Sequence, residues 1–118
     1  IEERFAAMAT VAQRLLADAG VDAQIGELPG EYCPGRFSLH AGGRKLAGVA
    51  QRSIVGASLT TLAIAVTGGD RLRAVLTDVQ SALAVDWDPA TAGSADEFNP
   101  GLTASALAGL AGQPARWQ

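Results

Sequence analysis

Gly42-Gly43-Arg44-Lys45-Leu46-Ala47-Gly48-Val49-Ala50-Gln51-Arg52 is the stretch from which the rest of the chain is read. Two glycines make a turn, a basic pair follows, and small and apolar residues then alternate. As a strand, it places Lys45, Ala47, Val49 and Gln51 on one face and Leu46, Gly48 and Ala50 on the other, because side chains alternate with period two. Gly48 and Ala50 leave their face almost bare, so a ligand or a packed neighbour can approach the backbone. A lysine at the edge of such a face is placed to meet a carboxylate or a phosphate.

Working outward, Leu28 to Gly35 holds two prolines and two glycines in eight residues and reads as a shaped loop. Arg36 to Ala41 alternates, with Phe37, Leu39 and Ala41 set against Arg36, Ser38 and His40, and reads as a strand. Gly42-Gly43 closes it into a hairpin with the Lys45 strand. Gly56 breaks the chain again. The apolar run Ala57 to Val66 is expected to be a central, largely buried strand.

Further out, Phe5, Met8, Ala12, Leu15, Leu16 and Ala19 recur at helical spacing over Glu2 to Ala19, with Gly20 as the stop, and Gly20 to Ile25 reads as a turn and a short strand. After Gly68-Gly69, Asp70 is expected to cap a helix whose buried stripe is Leu72, Val75, Leu76, Val79 and Leu83. Asp88 to Asn99 reads as a polar loop with little order. Asn99-Pro100 reads as the start of a last helix with Leu102, Ala106, Leu107 and Leu110 on one face. The order gives an α+β fold, a mostly antiparallel sheet flanked by helices. Residues 1–118 read as a single partial domain, with 100–118 as C-terminal helix and tail.

The sequence has 118 residues, 48 % hydrophobic, with a formal net charge of −3. That size suits one small folded domain. The negative balance gives no electrostatic support to a nucleic-acid-binding role. No apolar run reaches membrane-spanning length, and no partner membrane is expected. One cysteine, Cys33, excludes an internal disulfide framework and fits a reducing compartment such as the cytoplasm. Cys33 and His40 are too few for a Cys/His zinc site. The chain opens at Ile1 on residues that already read as helix, which is expected of a fragment of a longer protein.

Several residues carry candidate chemistry. Lys45 is either a cation that binds a carboxylate and stabilises charge in acyl or phosphoryl transfer, or a solvent-facing lysine after a turn. Cys33, in a loop, is either a nucleophile or inert packing. His40 reads as an exposed histidine on a polar strand face. Asp86, Asp88, Asp96 and Glu97 are either magnesium ligands or a solvated loop. Gly42-Gly43 lacks the phosphate-loop pattern and is turn-forming.

The stretch Gly43 to Gln51 resembles the lysine motif of the lipoate-protein ligase family, which belongs with biotin protein ligases and octanoyltransferases. Lys45, Leu46, Gly48 and Ala50 fill its pattern. Pro29-Gly30-Glu31-Tyr32-Cys33-Pro34-Gly35 and Val85-Asp86-Trp87-Asp88-Pro89-Ala90-Thr91 are similar to phrases of ligase-like members, in the same order. The resemblance implies part of a biotin/lipoate ligase-like catalytic domain that activates lipoate or octanoate with ATP and Mg. The acyl-adenylate would then be passed to a lysine of an acceptor lipoyl domain or carrier protein. Lys45 would contact the acyl carboxylate and the α-phosphate, with Arg44, Gly48, Ala50 and Gln51 lining the pocket.

The family's Arg-rich, Gly-Gly-Gly loop is absent, so the chain resembles the later half of that domain and would need the missing half as a partner. Octanoyltransferases of the same fold use a cysteine shortly before the strand that leads into the lysine motif, where Cys33 lies. That gives the alternative of an octanoyl or lipoyl transferase working through a Cys33 thioester. A non-catalytic lipoyl-binding module is a third reading.

Overall fold

Period and punctuation set the elements. The computed structural model describes residues 1–112; the remainder of the expected C-terminal tail, residues 113–118, lies outside the described residues. The chain runs α1 (Glu2–Asp18), β1 (Gln24–Ile25), β2 (Leu39–Ala41), β3 (Arg44–Ile54), β4 (Ala57–Ile64), α2 (Gly69–Ala82) and α3 (Ala104–Ala111). The strands form one antiparallel sheet in the order β1-β2-β3-β4. The fold is α+β, an antiparallel sheet flanked by helices.

α1 buries Ala9, Ala12, Leu15 and Leu16 against Leu39, Leu46 and Ala47 of the sheet and Leu102 and Leu107 from the α3 region. At the other end of its stripe, Phe5 stacks on Phe37, ring centroids 5.7 Å apart. The Gly42-Gly43 turn has φ of +54° and +77°, as a two-residue hairpin demands. The edge of the Phe98 ring lies where a Cβ on Gly42 would sit, so this position needs glycine twice over.

A β-bulge resets the faces of β3. Leu39 pairs with Ala47, yet His40 pairs with Lys45, so β3 carries one extra residue opposite β2. Consecutive Leu46 and Ala47 both enter the core. Lys45 is thereby shifted to the side of Gly48, where a Cβ on Gly48 would meet the lysine Cε at 3.6 Å and Nζ at 3.7 Å. Strict alternation put Lys45 on the Ala47 face; the bulge corrects that.

Other expectations are also corrected. Arg36 to Ser38 is a turn rather than strand, because the Ser38 N–H bonds back to the Gly35 carbonyl and its hydroxyl is drawn into a buried hydrogen bond. β4 is an edge strand among the described residues, mostly exposed, with Leu62 and Ile64 turned toward the core and Thr61 and Ala63 away. The α2 stripe is not buried: Val75, Val79 and Leu83 are 52 %, 44 % and 64 % exposed. α2 leans chiefly on the Pro89–Thr91 turn, which is too small to cover a helix face.

Asp70 does not cap α2. The Ser94 hydroxyl accepts from the Gly69 N–H at 3.0 Å, a cap from a distant segment, while Asp70 pairs with Arg73. Residues 88–99 are ordered by two short 3-10 turns, with Thr91 to Ala95 buried. Asn99 does not start α3. Its amide donates to the Ala19 carbonyl at 2.6 Å, closing the end of α1, and Thr103 caps α3 instead. No helix among the described residues is long and apolar enough to cross a membrane.

Candidate active site

Two adjoining clefts are lined by the loop before β2 and by β3. One, of about 380 Å³, is lined by the start of α1 (Ile1, Phe5), by Cys33, Arg36 and Phe37 of the loop, and by Lys45, Gly48 and Val49 of β3. The other, of about 250 Å³, runs over Gly48, Ala50, Thr61 and Ala63 to Tyr32. Cys33, Lys45, Gly48 and Val49 line both. The small residues of β3 and β4 make the floor, and the bulge delivers Lys45 to it.

Lys45 is 3 % exposed, unlike the solvent-facing residue its position after a turn allows. Its ammonium donates to the Tyr32 and Cys33 carbonyls, each at 2.8 Å, and pairs with Glu31 Oε2 at 2.8 Å. The Tyr32 ring adds a cation–π contact, its centroid 4.8 Å from Nζ. Glu31 is itself 4 % exposed. Its carboxylate accepts from the Leu28 N–H at 2.5 Å and the Ser38 hydroxyl at 2.6 Å. Burying two charges is costly unless they pair and every lone pair and proton is used. Here the backbone and Ser38 complete the set.

This arrangement shapes the loop. With two carbonyls turned inward onto the ammonium, Cys33 takes φ +45°, the left-handed region a non-glycine residue adopts only at a cost of roughly 1–3 kcal/mol. Cys33 is exposed, its thiol is free, and the residue lines both clefts. From behind, the Asp88 N–H donates to the Gly30 carbonyl at 2.8 Å, and the Thr91 hydroxyl reaches the same oxygen at 3.3 Å. The three phrases 29–35, 43–51 and 85–91 thus converge on one place. Burial holds the Tyr32 phenol above its usual range, and repulsion from the acidic groups of Cys33 and Glu31 adds to it.

The remaining sequence candidates fall outside. Arg44 pairs with Glu97 at 2.5 Å and lines neither cleft. Gln51 bonds Ser53 and Thr60 farther along the hairpin, also outside both. Gly48 lines both clefts and Ala50 the second. His40 pairs with Gln24 and Lys45 through the backbone and lines neither cleft. Asp86, Asp88, Asp96 and Glu97 do not form one cluster: Asp88 caps the Pro89–Thr91 turn, while Asp96 and Glu97 both accept from Ser94 and Glu97 also binds Arg44 and Arg73. The described residues hold no group of three or more His, Cys, Asp or Glu placed to bind a metal ion. Sequence reasoning missed Glu31 and Ser38. The only signal was an acidic residue inside a Pro-Gly loop, and nothing local says that its partner lies 14 residues downstream.

Comparison with known proteins bears on the chemistry. No family model matches the chain. Among curated proteins, it is 37 % identical over 76 residues to an octanoyl-[GcvH]:protein N-octanoyltransferase of Geobacillus kaustophilus, covering 64 % of this chain and 27 % of that protein. It is 42 % identical over 74 residues to the enzyme of the same description from Anoxybacillus flavithermus, covering 63 % and 26 %. It is also 32 % identical over 76 residues to that of Staphylococcus aureus, covering 64 % and 27 %. The chain thus spans about a quarter of the length of the curated relatives it matches.

These relatives are transferases, which corrects the expectation of a lipoate-protein ligase. The octanoyl group of their named reaction arrives already attached to a protein. A free carboxylate must be activated, whereas a bound acyl group is displaced directly. The expected acyl-adenylate step, with its ATP and Mg, is overturned with the ligase reading.

Proposed function

We propose that the protein containing this sequence is an acyltransferase of protein lipoylation. It takes an octanoyl group from an acylated carrier protein of the GcvH kind and passes it to an amine of an acceptor lipoyl domain. Cys33 is the nucleophile. Its thiolate attacks the acyl carbon, the bond to the donor breaks, and the acyl group rests as a thioester until the acceptor amine displaces the thiol.

Lys45 is the fixed cation that holds the Tyr32 and Cys33 carbonyls, and its charge favours negative charge developing on the acyl oxygen in the transition state. Gly48 and Ala50 keep the floor low enough for an alkyl chain. The reading rests on one observation: Cys33, in a left-handed backbone conformation, and a buried Lys45 that bonds its carbonyl share both clefts. A free thiol nucleophile needs a reducing compartment such as the cytoplasm.

The test uses the complete protein, octanoylated GcvH as donor and an apo lipoyl domain as acceptor, without ATP, followed by intact mass. Transfer by the wild type, with loss of both transfer and the octanoyl-enzyme mass in Cys33→Ala, supports the reading. Undiminished transfer in Cys33→Ala would falsify it. Binding of the octanoylated donor with no transfer would favour a non-catalytic module.

A further inference from the structure

We infer that Glu31 is a positioning residue for this site, acting on Cys33 through Lys45. The inference takes Cys33 as the reactive group from the function proposed above. Four observations lead to it. Glu31 is buried and ionically paired, yet lines neither cleft, so it does not touch an acyl group lying there. Its other bonds, to the Leu28 N–H and the Ser38 hydroxyl, come from both ends of the loop that carries Cys33. The ammonium it holds spends its remaining donors on the Tyr32 and Cys33 carbonyls. And Cys33 occupies a backbone region that it would leave without such restraint.

A lysine has four rotatable bonds and three equivalent donors, so on its own it selects no single pose. The carboxylate supplies the direction. With Oε2 on one side, the other two protons point at adjacent carbonyls of one loop, and those carbonyls set the peptide planes around Cys33. The negative charge also compensates the buried ammonium, so it stays on the carbonyls of the loop that carries Cys33.

A purely structural Glu31 would brace the loop through Leu28 and Ser38 and would act whether or not Lys45 were present. A positioning Glu31 acts only through Lys45. The full-length wild type, Glu31→Gln, Lys45→Met and the double variant are treated with iodoacetamide at about pH 8. Alkylation of Cys33 is followed by peptide mass, which separates it from any other thiol.

Each single substitution is expected to slow Cys33 alkylation at least about fivefold, and the double variant to be no slower than Lys45→Met within about twofold. Multiplying effects, or a Glu31→Gln rate within twofold of wild type, overturn the inference. Should the amide variant not fold, Glu31→Asp replaces it, since a carboxylate one methylene short cannot reach Leu28 and Lys45 together. Slowing that vanishes in the Lys45→Met background supports the inference, and slowing that persists there overturns it. Alkylation needs no acyl donor. Normal transfer by Cys33→Ala would therefore end the assignment of Cys33 as nucleophile while leaving this cycle able to report on Glu31.

Discussion

Replacing Lys45 with methionine keeps most of the side-chain volume and removes the ammonium, leaving Glu31 as an unpaired charge at 4 % exposure. Breaking a buried ion pair from one side costs about 3–5 kcal/mol. Glu31 keeps its bonds to Leu28 and Ser38, and hydrogen bonds to a charged group contribute about 1.5–3 kcal/mol each, so the loss falls toward the lower end, about 3 kcal/mol. Domains have about 5–15 kcal/mol in total, so the variant folds but is weakened.

Urea unfolding followed by circular dichroism measures it. With m of about 1–3 kcal/mol/M, the midpoint should fall by about 1–3 M. The companion Glu31→Gln/Lys45→Met carries no buried charge and should recover at least half of that loss. A Lys45→Met midpoint within about 0.3 M of wild type, or a double variant as weak as the single, would refute the reasoning. The first result would mean the pair is solvated in solution, and the second that the loss comes from packing.

Other perturbations follow from the same contacts. Tyr32 has its phenol raised by burial, so its neutral form is favoured in the folded state. The stability this contributes is fully present below the unfolded value of 10.0 and is lost as pH rises through the higher folded one. Above pH 10, Tyr32→Phe should therefore lose less stability than wild type, and parallel urea midpoints across that range would contradict this.

Gly48→Ala should leave stability nearly unchanged, because its Cβ meets Lys45 Cε at 3.6 Å, an ordinary van der Waals contact. Gly48→Leu should raise the floor and cut octanoyl transfer at least about tenfold; equal transfer rates would show that the acyl chain lies elsewhere. Ser94→Ala removes the hydroxyl that caps α2 and should cost about 1 kcal/mol, seen as a lower thermal midpoint. Gly42→Ala forces a Cβ into the Phe98 ring at positive φ and should be worse than Gly43→Asn, which meets nothing within 4 Å and keeps an αL-tolerant residue; the reverse order of thermal midpoints would count against the turn geometry.

Part of the candidate site is legible before any coordinates. Lys45, Cys33 and Gly48 were singled out from the loop, the turn and the strand, and the three phrases carrying the family resemblance do meet in space. The chemistry attached to them was corrected from adenylate formation toward direct transfer, and that correction came from relatives, not from geometry. The resemblance at the lysine rests on four residues, Lys45, Leu46, Gly48 and Ala50, and four residues do not encode which acyl donor arrives. Arg44 and Gln51 looked like pocket lining because they flank the lysine. The fold instead gives Arg44 to Glu97 and leaves Gln51 out along the hairpin.

Near-neighbour chemistry settled what the sequence could decide alone. The 3.6-residue period of α1, the paired glycines at 42 and 43 and the strand that follows need only their own residues to be recognised. The tertiary structure decided the rest, since each remaining feature depends on a group far along the chain. The one-residue bulge that moves Lys45 to the Gly48 face exists only in the pairing of β3 with β2. The cap on α2 comes from Ser94, 25 residues away. β4 and the α2 stripe are exposed because the described residues lay no layer over them, although their composition is that of buried segments. Glu31 faces Lys45 across a folded loop, and only folding turns a glutamate among prolines and glycines into the counter-ion of a buried lysine.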